Sequence, residues 1–322
     1  MSNLQKRSIL KALVLLNMGG PNDLEEVELF LKNMFNDPNI MPIKNSLLRR
    51  FVAYMITSSR KKEAKSNYEK LGGKSPLNFY TKKLIEKLKN YLPDFYITYA
   101  MRYTPPFSKD VIKELMSKNI KEVYLFPLYP HYSKTTVKSS LEDFYNSAKG
   151  YGFHARIHDI SNFYENRKYN EAVIEKILET LENKDSKEFD LIFSAHSLPK
   201  KIIESGDNYQ FEIEDNVKIL KEILKEKGIN FNAIYLAYQS KLGPVKWLEP
   251  SLDEVLKDLK NKKVIIYPIS FILDNSETLF ELHIEYFELA KKIGIKEYKV
   301  CECLNDSEKF CEAVREIVKE MG

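Results

Sequence analysis

The chain has 322 residues, of which 43% are hydrophobic and 30% are charged. This composition is typical of a globular protein and excludes disordered, collagen-like and disulfide-stapled classes. The 50 basic and 46 acidic side chains leave a net charge of +4, which is too small for the basic surface of a nucleic-acid-binding protein. No apolar run is long enough to span a membrane, and residues 11–16 are too short for a signal core. We therefore expect a cytoplasmic protein without a nucleic-acid partner.

Short apolar runs alternate with longer amphipathic segments along the chain. The runs predict strands at 12–17, 95–101, 121–127, 190–194, 233–238 and 263–269. The segments between them predict helices at 23–35, 76–90, 107–118, 165–182, 208–227, 250–260 and 276–292. Strands made of near-continuous hydrophobic residues are buried on both faces, which indicates parallel sheets covered by helices. The fold class is therefore α/β and doubly wound.

Three segments of the first half resemble three of the second half in the same order. LVLLNMGGP at 13–21 matches LIFSAHSLP at 191–199, and the segments beginning at residues 97 and 123 match those beginning at 235 and 264. The pattern predicts two similar Rossmann-like halves, 1–155 and 156–322, with the final helix packing back on the first half. Ligands of open α/β sheets bind beyond the carboxyl ends of the strands. The residues expected to face one cleft are Met18, Arg102, Tyr129, His196, Gln239 and Asn275.

His196 closes a predicted buried strand, in the sequence SAHSLP. A histidine in this position is placed to ligate a divalent metal or to accept a proton near neutral pH. The alternative is a histidine that is hydrogen-bonded into a turn. A nucleotide fingerprint is missing after the first strand, where the sequence reads NMGGP, and no serine-hydrolase elbow is present.

Three carboxylates follow another strand end at helical spacing. Glu277, Glu281 and Glu285 are four residues apart and share one helical face. The face is either solvated or a ladder that leads cations or protons to a site. Oxygen and nitrogen ligands without a thiolate suit a ferrous ion that must be released.

Two further features have a structural and a functional interpretation. Cys301, Cys303 and Cys311 are too few and too poorly spaced for a cluster site, so we expect ordinary reduced thiols and no iron–sulfur cluster. The segment 44–65 mixes apolar and basic residues. It is either a helix packed on the core, a membrane-surface contact, or a cover over an apolar ligand that carries carboxylates.

The chain resembles the ferrochelatases, which insert Fe²⁺ into a porphyrin to make haem. The motifs that carry this resemblance run through nearly the whole chain: NMGGP (17–21), YEKLGGKSPL (68–77), MRYTPP (101–106), FPLYPHYSKTT (126–136), SAHSLP (194–199), YQSKLGPVKWLEPS (238–251), YPISFILDNSETLFEL (267–282) and CLND (303–306). The resemblance implies two Rossmann-like halves around a porphyrin cleft. It also implies a cluster-free bacterial enzyme in which Fe²⁺ is a substrate and no organic cofactor is needed.

The resemblance implies roles for individual residues. His196 and Glu277 would be the catalytic and metal-site pair. Glu281 would lie behind them on the acidic line, the row of glutamates formed by Glu277, Glu281 and Glu285. Met18 would pack on the opposite face of the macrocycle, and Arg60, Arg102 and Tyr103 would position the porphyrin.

Two positions depart from the family pattern. Asn275 stands where the family often has histidine, so an imidazole proposed to help proton transfer is missing. His131 stands where glutamine is common, and we expect it to be a surface substitution rather than a second metal contact.

The function implied is insertion of Fe²⁺ into protoporphyrin IX, a lyase reaction that yields haem b and releases two protons. The alternatives are a coproporphyrin III ferrochelatase and a non-catalytic haem or porphyrin carrier of the same fold. A chelatase acting on sirohydrochlorin is disfavoured by Glu277, and Met18 favours protoporphyrin. We expect a cytoplasmic monomer, with peripheral contact with the inner face of the membrane left open.

Overall fold

The computed structural model describes residues 11–241 and 243–322, and within them the strands form two four-stranded parallel sheets. The first sheet contains β1 (Lys11–Asn17), β2 (Phe95–Met101), β3 (Glu122–Pro127) and β4 (Arg156–Asp159), in the order β2-β1-β3-β4. The second contains β5 (Phe189–His196), β6 (Ala233–Gln239), β7 (Lys263–Tyr267) and β8 (Glu297–Val300), in the order β6-β5-β7-β8. The same order in both sheets confirms the prediction of two similar halves.

Helices cover the faces of both sheets. They are α1 (Glu26–Phe35), α2 (Ser46–Lys70), α3 (Leu77–Tyr91), α4 (Ser108–Ser117), α5 (Ser139–Gly150), α6 (Arg167–Leu181), α7 (Lys200–Glu204), α8 (Tyr209–Glu226), α9 (Leu252–Asp258), α10 (Tyr286–Ile293) and α11 (Glu308–Glu320). In the described part of the chain, two π-helical segments, Lys134–Lys138 and Glu277–Glu285, and one 3-10 turn, Ser186–Glu188, complete the list. None of the described helices is both long and apolar enough to cross a bilayer.

The central strands are buried on both faces, as the sequence predicts. All of β1 except its first residue is buried, and β5 is buried up to Ala195. Residues of β1 divide between two apolar clusters on opposite faces of the first sheet. This burial of the apolar runs stabilises the fold, and the accessible polar side chains stand at the strand ends.

The outer strands β4 and β8 have no counterpart among the predicted strands. Their sequences, RIHD and EYKV, are only four residues long, and in neither strand is any residue fully buried. Each lies at the edge of its sheet, where one side of the strand is unpaired and charged residues are common. Because β4 at 156–159 pairs with β3, the first sheet extends beyond the predicted boundary at 155/156. The change of sheet lies between β4 and β5.

The strand registers define which residues are equivalent in the two halves. Leu13 of β1 and Leu191 of β5 hold the same position relative to their neighbouring strands. Counting from these two leucines makes Met18, directly after β1, the counterpart of His196 at the end of β5. Both residues therefore stand at the carboxyl edge of a central strand, where α/β proteins bind ligands.

The register of the second strand pair differs by one residue from the sequence match. The sequence comparison places Ile97 opposite Tyr235, whereas the registers pair Ile97 with Leu13 in one sheet and Ile234 with Leu191 in the other. The repeated motifs are too similar in composition to fix a one-residue offset. The observed register makes Arg102 the counterpart of Gln239.

The final helix α11 packs against α3 of the first half and α6. Lys87 Nζ lies 3.9 Å from Glu308 Oε1. The guanidinium of Arg315 lies 5.8 Å from the ring centre of Tyr91. Apolar residues of α11 join the cluster that also contains α3 and the strands of both sheets. The C-terminal segment therefore ties the two halves together.

Candidate active site

His196 is the last residue of β5 and faces Glu277 at the start of the second π-helix. Its Nδ1 lies 2.7 Å from Glu277 Oε2, and the two side chains are 34% and 28% exposed. The preceding residues of β5 are buried, so the strand carries one polar side chain to an accessible edge. The two residues that the resemblance pairs therefore lie within hydrogen-bond distance, and both side chains are accessible to solvent.

The residues before Glu277 fix the start of the π-helix. The side-chain oxygen of Asn275 accepts hydrogen bonds from the backbone N–H groups of Glu277, at 2.8 Å, and Thr278, at 3.4 Å. Asp274 is buried and accepts from Thr278 Oγ1 at 2.8 Å and from Asn305 Nδ2 at 2.7 Å. The two bonds to Asn275 satisfy backbone N–H groups that a helix start leaves free. Asn275 thus has a structural role as a helix cap.

Ser240 connects the two carboxylates of the acidic line. Its hydroxyl lies 3.3 Å from Glu277 Oε2 and also donates to Glu281 Oε2. Its backbone N–H donates to Glu281 Oε1 at 2.9 Å, and Gln239 Nε2 donates to Glu281 Oε2 at 3.2 Å. A continuous series of polar groups therefore runs from His196 through Glu277 and Ser240 to Glu281.

The three ionisable groups perturb one another. Burial lowers the pKa of His196, but the charge and hydrogen bond of Glu277 outweigh it, so the pKa is raised. Burial raises the pKa of Glu277, but His196 and Ser240 outweigh it, so the pKa is lowered. Burial and repulsion by Glu277 together raise the pKa of Glu281 to about 7. The site thus combines a strengthened base with a carboxyl that changes charge near neutral pH.

The acidic line ends at Glu281. Glu285 has the same sequence spacing, but it is exposed and forms no hydrogen bond with Ser240 or Glu277 among the described residues. The segment is π-helical rather than α-helical, which alters the rotation per residue and often marks a functional site. Within residues 11–241 and 243–322, no three His, Cys, Asp or Glu side chains form a preassembled metal site.

Met18 lies at the end of β1, half-buried between the main core and the cluster formed by α1 and α2. The next residue, Gly19, has φ +86°, and a Cβ there would lie 2.3 Å from Thr104 Oγ1. The NMGGP motif therefore requires glycine to bring the first loop against the loop after β2. This close approach places Met18 at the carboxyl edge of the sheet.

Arg102 is engaged with acidic groups of its own half. Its Nη2 lies 3.1 Å from Asp37 Oδ2, its Nη1 lies 3.3 Å from Asp143 Oδ1, and its Nε donates to Ser139 Oγ at 2.9 Å. Tyr103 is 2% exposed and donates to Asp37 Oδ2 at 2.9 Å. The structure therefore buries the Tyr103 side chain, with its hydroxyl bonded to Asp37.

Arg60 lies on α2 and is half-buried. Among the described residues, none forms an ion pair or side-chain hydrogen bond with its guanidinium. The N-terminal part of the same helix exposes an apolar stripe made of Leu47, Leu48, Phe51, Tyr54 and Met55. The segment 44–65 is thus a helix whose N-terminal half leaves its apolar residues uncovered.

The prediction that His131 is a surface substitution is wrong. The residue is 2% exposed, and its Nε2 lies 3.0 Å from Asn216 Oδ1 on α8 of the other half. Burial lowers its pKa to about 3, so the imidazole is neutral. It stacks on Tyr164 at 5.8 Å between ring centres. The prediction fails because the sequence around His131 does not reveal that the loop after β3 packs against the other half of the molecule.

The three cysteines are free and buried. Burial raises the pKa of the Cys301 and Cys311 thiols to about 12, and that of Cys303 is raised as well. Neutral thiols in apolar surroundings are unreactive and are poor metal ligands. Cys301 and Cys311 belong to the main apolar cluster, Cys311 as a residue of α11.

Two polar residues of the site were not among the predicted site residues. Ser240 follows β6 and has φ +66°, a left-handed conformation that directs its N–H and hydroxyl to Glu281. Asp37 follows α1 and lies far from Arg102 in sequence, so only the tertiary fold brings the two together. Ser240 could have been found from the sequence, because it is a polar residue directly after a buried strand. The sequence around Asp37 gives no indication of its contact with Arg102.

Comparisons with known proteins identify the family of the chain. A family model described as ferrochelatase matches residues 10–321. A ferrochelatase of a Nitratiruptor species is 68% identical over 312 residues, covering 97% of this chain and 100% of that protein. A ferrochelatase of Sulfurimonas denitrificans is 51% identical, covering 97% and 99%, and one of Helicobacter pylori is 48% identical, covering 100% and 96%.

Solved structures of low identity share the fold. Bacillus subtilis SirB with Fe³⁺ has a TM-score of 0.56 at 11% identity, covering 74% of this chain and 88% of that one. A multi-domain Deinococcus radiodurans protein with structural similarity to chelatases has a TM-score of 0.55 at 12% identity, covering 98% and 56%. The family match and the close relatives span nearly the whole sequence. The chain therefore belongs to the ferrochelatase family.

Proposed function

We propose that the chain inserts Fe²⁺ into protoporphyrin IX, forming haem b and releasing two protons. The observation that carries the proposal is the pair formed by His196 and Glu277 at the accessible end of β5, with Glu281 behind it. The reaction needs a base for the two pyrrole protons and a ligand for the incoming ion. Family membership supports iron insertion, and the residues account for the chemistry.

The hydrogen bond between His196 and Glu277 determines how the imidazole acts. Because Nδ1 is bonded to the carboxylate, Nε2 is the nitrogen left to accept a pyrrole proton or to hold Fe²⁺. The adjacent negative charge raises the pKa of His196 and stabilises the imidazolium that forms. Neutral Nε2 is needed for either role, so the first proton must leave before His196 can act again.

The proton that His196 accepts must be carried away from the pair, and Glu281 suits that role. Its pKa of about 7 allows it to gain and lose a proton at neutral pH. Ser240 lies between Glu277 and Glu281 and can pass a proton from one to the other. Two protons released and one divalent ion bound leave the charge balanced, and no oxidation step is required.

Porphyrin nitrogens become accessible when the ring bends out of plane. A cleft that fits a bent ring better than a flat one lowers the barrier to insertion. Met18 and His196 are equivalent residues of the two halves, and we place them on opposite faces of the macrocycle. Arg60 would pair with a propionate, because no side chain among the described residues neutralises it.

Several further properties belong to this proposal. The reaction is a lyase-type metal chelation in which Fe²⁺ is a substrate and no organic cofactor takes part. The raised pKa values of the cysteines support the absence of an iron–sulfur cluster. We place the enzyme in the cytoplasm as a monomer.

We also propose peripheral contact with an anionic bilayer through α2. The stripe formed by Leu47, Leu48, Phe51, Tyr54 and Met55 is exposed, and basic residues stand on the same helix. Flotation with vesicles containing anionic lipid, compared with neutral vesicles, tests this contact. Retention of the protein in the vesicle-free fraction would contradict it.

Anaerobic assays with Fe²⁺ and each porphyrin test the central proposal. We expect kcat/KM for protoporphyrin IX to exceed that for coproporphyrin III by at least about tenfold. A preference for coproporphyrin III would overturn the assignment of the porphyrin but leave iron insertion intact. Tight binding of either porphyrin without insertion would support a carrier instead.

A further inference from the structure

The backbone of His196 lies beyond the reach of the neighbouring strand. Strand β7 ends at Tyr267, which leaves the last residues of β5 without a ladder partner on that side. The backbone groups of successive residues in a strand point alternately to its two neighbouring strands. Ser194 O accepts from Ile269 N at 3.0 Å, on the side of β7, whereas Ser197 N donates to β6 on the other side. The N–H and C=O of His196 therefore point to the side where β7 has ended.

Two side chains replace the missing strand. The N–H of His196 donates to Ser270 Oγ at 3.0 Å, Ser270 Oγ lies 2.7 Å from Tyr209 Oη, and Tyr209 Oη donates to the carbonyl of His196 at 2.9 Å. A hydroxyl donates one hydrogen. With Tyr209 donating to the carbonyl, Ser270 must donate to Tyr209, and the three bonds close into a ring with every group satisfied.

Tyr209 is itself held by the first half of the molecule. Its N–H donates to Asp207 Oδ1 at 3.0 Å. The other oxygen of Asp207 accepts from Ser133 Oγ at 3.1 Å and from the N–H of Lys134 at 2.7 Å. The Tyr209 ring also meets the His131 ring edge-on, with 6.3 Å between centres. The loop after β3 therefore fixes the phenol that clamps His196.

We infer that Tyr209 is a positioning residue for iron insertion, acting through the backbone of His196 to set the direction of its imidazole. This inference rests on the proposed function, since it concerns the same histidine. A displacement of about 1 Å in a reacting group can cost about 100-fold in rate. Loss of the phenolic oxygen would leave the His196 carbonyl and the Ser270 hydroxyl unpaired in a buried place.

The kinetic test compares Tyr209→Phe with a matched tyrosine. Tyr267 is also buried in the second half, but its hydroxyl has no hydrogen-bond partner among the described residues. We expect Tyr209→Phe to lower kcat by about 10- to 100-fold with the KM for porphyrin changed less than about twofold. Tyr267→Phe should stay within about twofold of the parent in both constants. Equal kcat values in the two variants would overturn the inference.

The spectroscopic test does not depend on iron insertion. The ¹⁵N resonances of the His196 ring, identified by their loss in His196→Ala, report whether Nδ1 remains bonded to Glu277. We expect both ring resonances to move towards those of a free imidazole in Tyr209→Phe and to be unchanged in Tyr267→Phe. Unchanged resonances in Tyr209→Phe would overturn the inference. Absence of insertion by the parent protein, with the resonances shifted as expected, would contradict only the proposed function.

A second variant covers loss of folding. If circular dichroism shows that Tyr209→Phe is not folded, Ser270→Ala is used instead. It breaks the same ring of hydrogen bonds at the serine hydroxyl and leaves the phenol of Tyr209 in place. The same fall in kcat and the same shift of the His196 resonances are expected. Parent-like kcat and resonances in folded Ser270→Ala would overturn the inference.

Discussion

The Nδ1 atom of His196 lies 2.7 Å from Oε2 of Glu277, joining the end of β5 to the first turn of the second π-helix. Each group shifts the other's pKa towards its charged form and against the effect of burial. Substitution of either residue should therefore change the pKa of the other.

Glu277→Gln removes the charge that raises the pKa of His196 and leaves the burial that lowers it. We expect the pKa of His196 to fall, because desolvation then dominates. The acid limb of kcat/KM should move to lower pH, and kcat should fall by about 100-fold or more. A pH series of initial rates under anaerobic conditions measures both effects.

Glu285→Gln is the matched control for that series, because Glu285 is an exposed glutamate of the same π-helix. Its pH profile should overlie that of the parent. An unshifted acid limb in Glu277→Gln would contradict the assignment of the pair.

Glu281→Gln should alter the pH dependence of stability. The pKa of Glu281 is raised to about 7 from 4.5, so the folded protein keeps this proton after the unfolded chain has lost it. Stability from this group is therefore full below about pH 4.5 and is lost as the pH rises through 7. Glutamine removes that loss, and we expect Glu281→Gln to gain on the order of 1–2 kcal/mol relative to the parent at pH 8 compared with pH 5.

Urea unfolding of both proteins at the two pH values measures the difference. The same substitution should lower kcat by about tenfold, less than Glu277→Gln, because Glu281 acts behind the pair. A parallel pH dependence of stability in the two proteins would show that Glu281 does not titrate in this range.

Asn275→Ala should destabilise the start of the second π-helix. The amide oxygen of Asn275 accepts from the N–H groups of Glu277 and Thr278, and alanine provides no acceptor. We expect a loss of about 1 kcal/mol in the free energy of unfolding. Asn275→Ser keeps a capping oxygen and should lose less than half as much. Equal losses in the two variants would mean that capping is not the role of this side chain.

Replacing Arg102 should lower the stability of the protein, whereas replacing Arg60 should weaken porphyrin binding. Arg102→Ala leaves the buried carboxylate of Asp37 without its cation, which typically costs about 3–5 kcal/mol. Arg60→Ala breaks no ion pair among the described residues and should change stability by less than about 0.5 kcal/mol. Its effect should instead be weaker porphyrin binding, by about tenfold, through the lost pairing with a propionate.

Denaturant unfolding and fluorescence titration with protoporphyrin IX distinguish these outcomes. Arg60→Lys retains the charge and should recover part of the affinity. Porphyrin affinity unchanged in Arg60→Ala would remove Arg60 from the binding surface. Unchanged stability in Arg102→Ala would contradict its structural role.

The central strands and the two-fold repetition could be predicted from the sequence, because burial on both faces demands continuous apolar runs. The six predicted strands correspond to β1, β2, β3, β5, β6 and β7. The edge strands β4 and β8 escape this reasoning, since a half-exposed strand of four residues with charged side chains has no apolar signature. The exact register of β2 and β6 also depends on pairing that composition does not encode.

Among the candidate site residues, His196 could be singled out because it closes a buried apolar run, whereas its pairing with Glu277 is implied by the resemblance to the ferrochelatases. The burial of His131 and of Tyr103 could not be predicted, because each is decided by packing between distant segments. Asn275 illustrates a third case. Its difference from the family pattern is visible in the sequence, but its capping role becomes visible only from the N–H groups that surround it.

The most direct test is anaerobic incubation of the protein with protoporphyrin IX and Fe²⁺, in which the loss of porphyrin fluorescence is measured over time. The parent protein should turn over repeatedly. His196→Ala should bind porphyrin with an affinity within about twofold of the parent and lose at least about 100-fold in kcat. Insertion by His196→Ala at a rate close to that of the parent would contradict the account.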